Sequence, residues 1–105
     1  MVDDCIFCKI IAGDIPSSKV YEDEEVLAFL DISQVTPGHT LVVPKKHARN
    51  LLEMDETATA QLFARVSKVA KKVEAATQAK GMNIISNMEE VSGQTVFHTH
   101  VHIIP

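Results

Sequence analysis

Phe97-His98-Thr99-His100-Val101-His102-Ile103-Ile104-Pro105 decides how the rest of this chain is read. Three of the five histidines stand in it, at every second position. The residues between them, Thr99, Val101 and Ile103, are β-formers, and side chains on a strand alternate between two faces. The stretch predicts one strand with Thr99, Val101 and Ile103 in a core. His98, His100 and His102 then form a row on the other face, with roughly 6.5–7 Å between successive Cα atoms. Imidazole combines a proton affinity near neutral pH with nucleophilicity and metal-ligating power. A solvated edge strand would account for one such histidine, but poorly for three in strict alternation on a strand this apolar. A purification tag is contiguous and lacks interleaved apolar residues.

Upstream, Met82-Asn83-Ile84-Ile85-Ser86-Asn87-Met88 reads as the preceding strand, with a polar loop at 89–94 between the two. Before it comes a long helix over about residues 55–80. Asp55 is its expected N-cap, Leu62, Val66, Val69, Ala70, Val73 and Ala76 its apolar stripe, and Gly81 its expected left-handed end. Lys68, Lys71 and Lys72 fall mainly off the stripe and read as a solvated face. Asn50–Met54 suggests one helical turn. Further back, Lys19-Val20-Tyr21-Glu22 and Glu25–Ile32 form a hairpin turning at Asp23-Glu24. Pro37-Gly38 then turns the chain into a β-rich run over His39–Pro44. His39 has no evident partner and reads as structural. Residues 5–12 suit a short N-terminal helix ended by Gly13 and Pro16. The order is short helix, three strands, long helix, two strands. Short connections favour an antiparallel sheet and an α+β class, in one domain spanning 1–105.

The 105 residues are 46% hydrophobic and 23% charged, as in a folded globular chain and unlike a disordered one. A net charge of −4 shows no electrostatic footprint for duplex DNA or RNA, although a small phosphorylated ligand needs only a few local donors. No apolar run approaches the roughly 18–20 residues of a membrane span. The acidic start, Met1-Val2-Asp3-Asp4, lacks the basic head of a signal peptide, so a cytoplasmic setting is expected.

Cys5-x-x-Cys8 has ligand spacing, and His47 and His98 would complete a Cys₂His₂ tetrahedron. Taken alone, the pair is open to metal binding, to redox chemistry and to simple packing of two thiols. A redox pair belongs between a strand and a helix of a βαβ unit, which is not foreseen here. Asp31 interrupts the apolar run Val26–Leu30. It is either a strand-end acid bonded to nearby backbone or a carboxylate for ribose hydroxyls.

Phe97–Ile104 matches the histidine-triad pattern, with Thr99 a mild departure at the first apolar slot. Cys5-Ile-Phe-Cys-Lys-Ile-Ile, Phe29-Leu-Asp-Ile, Pro37-Gly-His-Thr-Leu-Val-Val-Pro-Lys-Lys-His47, Asn87 and Gly93-Gln94-Thr95-Val96 stand in the matching order and spacing. The chain resembles the histidine-triad (HIT) superfamily in its HINT-like branch, as a bacterial Hit-type protein.

The resemblance implies a five-stranded antiparallel meander and a homodimer with a sheet continuous across two subunits. The implied activity is that of a purine nucleoside phosphoramidase: hydrolysis or transfer of nucleotidyl groups from phosphoramidates and related purine nucleoside monophosphate derivatives. It places a covalent nucleotidyl intermediate on His100, the middle histidine. His102 would stabilise the α-phosphate, and His98 would orient its neighbours or bind metal. Asp31 would hold the ribose, Phe29 and Ile32 would flank the base, Gly93, Gln94 and Thr95 would meet the phosphate or leaving group, and Asn87 would contact the phosphate or ribose side. Relatives with the cysteine pair point to a structural zinc on Cys5, Cys8, His47 and His98. Members of the family usually continue past the triad strand with a tail that helps close the pocket. This sequence ends at Pro105. The rival readings are a dinucleoside polyphosphate hydrolase of the Fhit-like branch, favoured less by the cysteine pair, and a non-catalytic nucleotide-binding or zinc-ordered module.

Overall fold

Apolar patterning fills both faces of one antiparallel sheet, and each face receives its own helix. The computed structural model describes residues 4–105, so all but Asp4 of the acidic N-terminal start lies outside the described residues. The strands are β1 (Lys19–Glu22), β2 (Val26–Leu30), β3 (Thr40–Pro44), β4 (Asn83–Ile85) and β5 (Val101–Ile104). The helices are α1 (Ile6–Ala12) and α2 (Glu56–Thr77), with short 3-10 turns at Leu51–Glu53 and Glu90–Ser92. The sheet order is β1-β2-β3-β5-β4. Every neighbouring pair is antiparallel. The fold is therefore α+β, as expected. The first three strands form a meander. The crossover through α2 then delivers the chain to the far edge, and the final strand returns into the interior of the sheet.

α2 buries Leu62, Val66, Val69 and Val73 against Val26, Ala28 and Val42 of the sheet, with Val101 and Ile103 of β5. Fully burying one such side chain contributes about 1.5–3 kcal/mol. Asp55 caps α2 as foreseen, its Oδ1 accepting the Ala58 N–H at 2.8 Å. The helix stops earlier than expected. Gln78, not Gly81, takes the left-handed conformation (φ 57°) and returns its N–H to the Glu74 carbonyl, leaving Ala76 exposed.

The opposite face packs Leu27, Phe29, Leu41 and Val43 beneath Phe7, Cys8 and Ile10 of α1. Cys5 caps α1 through Sγ, which accepts the Cys8 N–H at 3.3 Å. At Gly38 (φ 94°), before β3, a Cβ would stand 2.7 Å from a methyl of Thr77, so this turn requires glycine. Asp23 ties the β1–β2 turn to α2. It accepts from the Tyr21 hydroxyl at 2.7 Å and from Arg65 Nε at 2.9 Å.

The histidine stretch is the main departure from the expected geometry. Only Val101–Ile104 is strand, and residues 97–100 approach it as irregular chain. Thr99, held by the Ala48 carbonyl through both its N–H and its hydroxyl, is buried, as are Val101 and Ile103. The three histidines do not form one row on a strand face, because His98 and His100 precede β5. His98 and His100 are buried, and only His102 is partly open.

Candidate active site and metal cluster

The register of β2, β3 and β5 lines up the floor of a cleft. Phe29 pairs with Leu41, and Leu41 with His102, so all three share the face beneath α1. α1 contributes Phe7 and Ile10 from above, and the resulting cleft is about 800 Å³. Its apolar walls are Phe7, Ile10, Phe29 and Leu41, and Asp31, Thr95, His100 and His102 supply polar groups. Five expected site residues therefore converge: Phe29, Asp31, Thr95, His100 and His102. Ile32 reaches only the rim, and its side chain is fully exposed. Phe7 and Ile10, expected only as core, take its place as walls of the apolar slot.

The rest of the expected phosphate loop lies elsewhere. Asn87 and Gly93 do not line the cleft, and the Asn87 amide donates to the Ser92 carbonyl at 2.8 Å. Gln94 is buried and its amide is fully engaged inside the protein. Its Nε2 donates to the carbonyls of Arg49 and Val96. Its Oε1 accepts from Asn50 and from the Glu89 N–H. Gln94 braces the loop that presents Thr95. Glu89 sits at φ 75°, a strained position for a side-chain-bearing residue. Arg49 holds its carboxylate from two nitrogens at 2.8 and 2.9 Å, and Asn50 at 2.7 Å.

His100 has a defined tautomer. Its Nδ1 is 2.7 Å from the His98 carbonyl, which can only accept, so Nδ1 carries the proton. Nε2 keeps its lone pair. Burial pushes the His100 imidazole below its ordinary value, while the Asp31 charge works in the opposite direction.

The overlooked residue is His39. Its Nδ1 accepts the Val35 N–H at 3.1 Å, which leaves its proton on Nε2. That nitrogen lies 2.9 Å from His102 Nδ1 and donates to it, so neutral His102 carries its own proton on Nε2. The chain of tautomers runs from a backbone N–H through two imidazoles to the cleft. Burial lowers the His102 imidazole's affinity for a second proton, helped by His100 and His39 and opposed by Asp31. Asp31 makes the expected strand-end bond to nearby backbone and also approaches His39. Its Oδ1 accepts the Ser33 N–H at 2.9 Å, and Oδ2 lies 3.5 Å from His39 Nε2. Asp31, His39 and His102 also cluster closely enough to suggest a metal. A metal on His39 Nε2 would force the proton onto Nδ1, against the Val35 N–H, so this trio suits a hydrogen-bonded relay instead.

The second cluster is different. Cys5 Sγ, Cys8 Sγ, His47 Nδ1 and His98 Nδ1 converge. His98 Nδ1 lies 3.3 Å from Cys5 Sγ, 3.5 Å from Cys8 Sγ and 3.1 Å from His47 Nδ1, with Cys8 Sγ 3.5 Å from His47 Nδ1. Bond lengths of 2.0–2.3 Å in a tetrahedron place donor atoms roughly 3.3–3.8 Å apart. His98 Nε2 donates to the Pro44 carbonyl at 2.7 Å, leaving Nδ1 bare and aimed inward, which is the orientation a ligating histidine needs. Burial pushes the Cys5 thiol up and the His98 imidazole down to about 4, so the cluster is costly to charge without a cation. The donor set fits a metal ion, and both cysteines are free thiols.

A small α+β domain with a histidine relay facing an apolar cleft defines the class, and comparison with known proteins agrees. The family model described as HIT domain matches residues 12–105. "Protein hit" of Bacillus subtilis is 57% identical over 103 residues, covering 98% of this chain and 71% of that protein. "Adenylylsulfatase HINT3" of Arabidopsis thaliana is 39% identical over 103 residues, covering 98% of this chain and 52% of the plant protein. The crystal structure of SMU.412c from Streptococcus mutans superposes with a TM-score of 0.98 at 67% identity, covering all of this chain and 67% of that one. The chain belongs to the HIT family.

Proposed function

We propose that the protein transfers or hydrolyses nucleotidyl groups from nucleoside phosphoramidates or related purine nucleotides, through a covalent intermediate on His100. The observation that carries this reading is the 2.7 Å bond from His100 Nδ1 to the His98 carbonyl, which presents a bare Nε2 from the wall of the cleft. Burial favours the neutral ring, so the lone pair is available at neutral pH. The name of the Arabidopsis relative, an adenylylsulfatase, supports cleavage at an adenylyl phosphorus within the family.

In the first step His100 Nε2 attacks the α-phosphorus and the phosphorus–nitrogen bond to the leaving amine breaks. The leaving nitrogen takes its proton from solvent and departs as the neutral amine, while the His102 Nε2–H, its tautomer set by His39, donates a hydrogen bond to the α-phosphate oxygens and the charge developing there. In the second step water attacks phosphorus and releases its proton to solvent, and the bond to His100 Nε2 breaks to give the nucleoside monophosphate and neutral His100. Asp31 offers Oδ2 to ribose hydroxyls, and Phe29 with Phe7 and Ile10 accepts the base. Thr95 is assigned to the phosphate or leaving-group side, and Asn87 and Gly93, which pack on one another outside the cleft wall, would shape the loop that carries it. Gln94 acts there by bracing the loop.

Cys5, Cys8, His47 and His98 are proposed to hold a structural zinc ion, which would tie α1 to the segment after β3 and to the triad. A homodimer is proposed through β4, an edge strand whose Ile84 and Ile85 are exposed. Among the described residues no helix is long and apolar enough to cross a membrane, and the pair of free thiols suits the proposed cytoplasmic setting.

Mass spectrometry of the protein mixed with an adenosine phosphoramidate tests the reading. An adenylyl adduct on His100, absent from His100→Ala, is expected. Faster turnover of a dinucleoside polyphosphate would favour the Fhit-like alternative. Nucleotide binding without adduct or turnover would replace the enzyme by a binding module.

A further inference from the structure

Two restraints hold the His100 ring, and both lead back to the metal cluster. The first is the His98 carbonyl. The side chain of His98 is pinned at both nitrogens, by the Pro44 carbonyl and by the cysteine cluster, so residue 98 has little freedom to move its carbonyl away from His100. The second is Phe7. It lies in α1 between Cys5 and Cys8, two of the four cluster donors. Its ring is buried, with its centroid 5.0 Å from His100 and 5.9 Å from His98, at interplanar angles of 77° and 79°. Perpendicular contacts of this kind are directional, because the ring edge of one partner meets the face of the other. Phe7 also leans on Phe29, with centroids 5.7 Å apart, so the contact continues into the wall of the cleft.

We infer that Phe7 is a positioning residue for the His100 nucleophile, and that metal binding at Cys5, Cys8, His47 and His98 sets Phe7 and the His98 carbonyl in place. The inference rests on the reading of His100 as nucleophile. A purely structural metal would hold the fold and leave the His100 ring indifferent to its presence. Here α1 is seven residues long, and the sulfur atoms flanking Phe7 are its attachment to the histidine segment. Loosening that attachment frees the ring that packs against His100, and releasing His98 Nδ1 loosens the carbonyl that sets the His100 tautomer. Phe7 thereby links occupancy of the cluster to the aim of Nε2, while it also faces the cleft.

Histidine-ring ¹⁵N NMR of the full chain, without nucleotide, separates these roles. Signals of His100 are assigned by their loss in His100→Gln. The zinc-loaded wild type is expected to show one tautomer, protonated at Nδ1. In zinc-loaded Phe7→Leu, with the ion still bound and circular dichroism unchanged, the two ring nitrogens are expected to move toward averaged shifts. Single-turnover nucleotidylation at saturating substrate, where any loss of base binding drops out, should fall about tenfold or more. Chelation of the wild type should average the same signals. Phe7→Met, close in volume, replaces Phe7→Leu should the latter not fold.

A single unchanged His100 tautomer in both the variant and the chelated protein overturns the inference. So does a Phe7→Leu defect confined to KM, which would make Phe7 a wall of the cleft only. The two readings fail separately. Tautomer averaging in a protein that never forms an adduct keeps the positioning and rejects the nucleophile. An adduct on His100 formed at the wild-type rate in Phe7→Leu does the reverse.

Discussion

His39 Nε2 and His102 Nδ1 stand 2.9 Å apart although the residues are 63 positions apart in sequence. The contact arises because β3 pairs with β5 in a register that sets Leu41 beside His102, with His39 immediately before β3. It assigns His39 the donor role and His102 a proton facing the cleft. His39→Ala should therefore lower kcat by about ten- to a hundredfold while changing KM by less than about threefold, since the lost bond sets the His102 tautomer that stabilises developing charge and makes no substrate contact itself. Steady-state kinetics with an adenosine phosphoramidate checks this, and an effect confined to KM would place His39 in binding instead.

Zinc removal should destabilise the chain. The four converging donors include two buried thiols, and a metal that binds only the folded state adds its binding free energy to stability. Chelation is expected to lower Tm by several degrees, and Cys8→Ser to abolish stoichiometric zinc and remove most of that chelator response. Unchanged Tm together with freely reactive thiols would show two packed cysteines and no metal.

Acid should weaken the metal-free protein before its carboxylates are protonated. Burial holds His98 at about 4, and holds His100 and His102 below the ordinary 6.5. The unfolded chain binds protons at these positions near 6.5, while the folded chain resists until the pH approaches the lowered values. The unfolded state thus holds more protons across this window, so stability falls as pH falls from about 6.5 toward about 4. Urea midpoints of the chelated protein should decline steadily over that range. A flat profile would contradict the neutral state of the three rings in the folded protein.

Gln94 should behave as a structural residue. Its buried amide engages Arg49, Val96, Asn50 and Glu89. Gln94→Ala leaves those partly buried groups and the buried Asn50 without their partner and should cost about 2–4 kcal/mol in denaturant unfolding. Activity should fall through a misplaced Thr95 loop. Normal stability combined with a selective loss of turnover would instead support direct contact between the amide and substrate.

Much of the architecture was legible because it depends on local periodicity. Alternation marked the β5 core residues Val101 and Ile103, the stripe Leu62–Val66–Val69–Val73 marked α2, and Asp55 marked its start. Cys-x-x-Cys spacing, with His47 and His98 as its expected completion, singled out the four residues that converge as a candidate metal cluster. The end of α2 was misplaced because Gly81 carries the stronger left-handed propensity, while the chain turns at Gln78. Phe7 and Ile10 looked like core because an apolar helix face reads the same whether it covers a sheet or walls a cleft.

By itself the sequence determined the class of fold, the histidine-bearing segment and the identity of residues able to do chemistry, since those follow from side-chain type and short-range spacing. Tertiary structure decided what each histidine does. Strand pairing brought His39 to His102, and the approach to β5 turned His98 into the cysteine cluster while leaving His100 on the cleft. Three residues alike in sequence thus acquired three environments. The protonation, tautomer and reach of an imidazole are set by its hydrogen-bond partners and burial, and those belong to contacts between segments far apart in the chain.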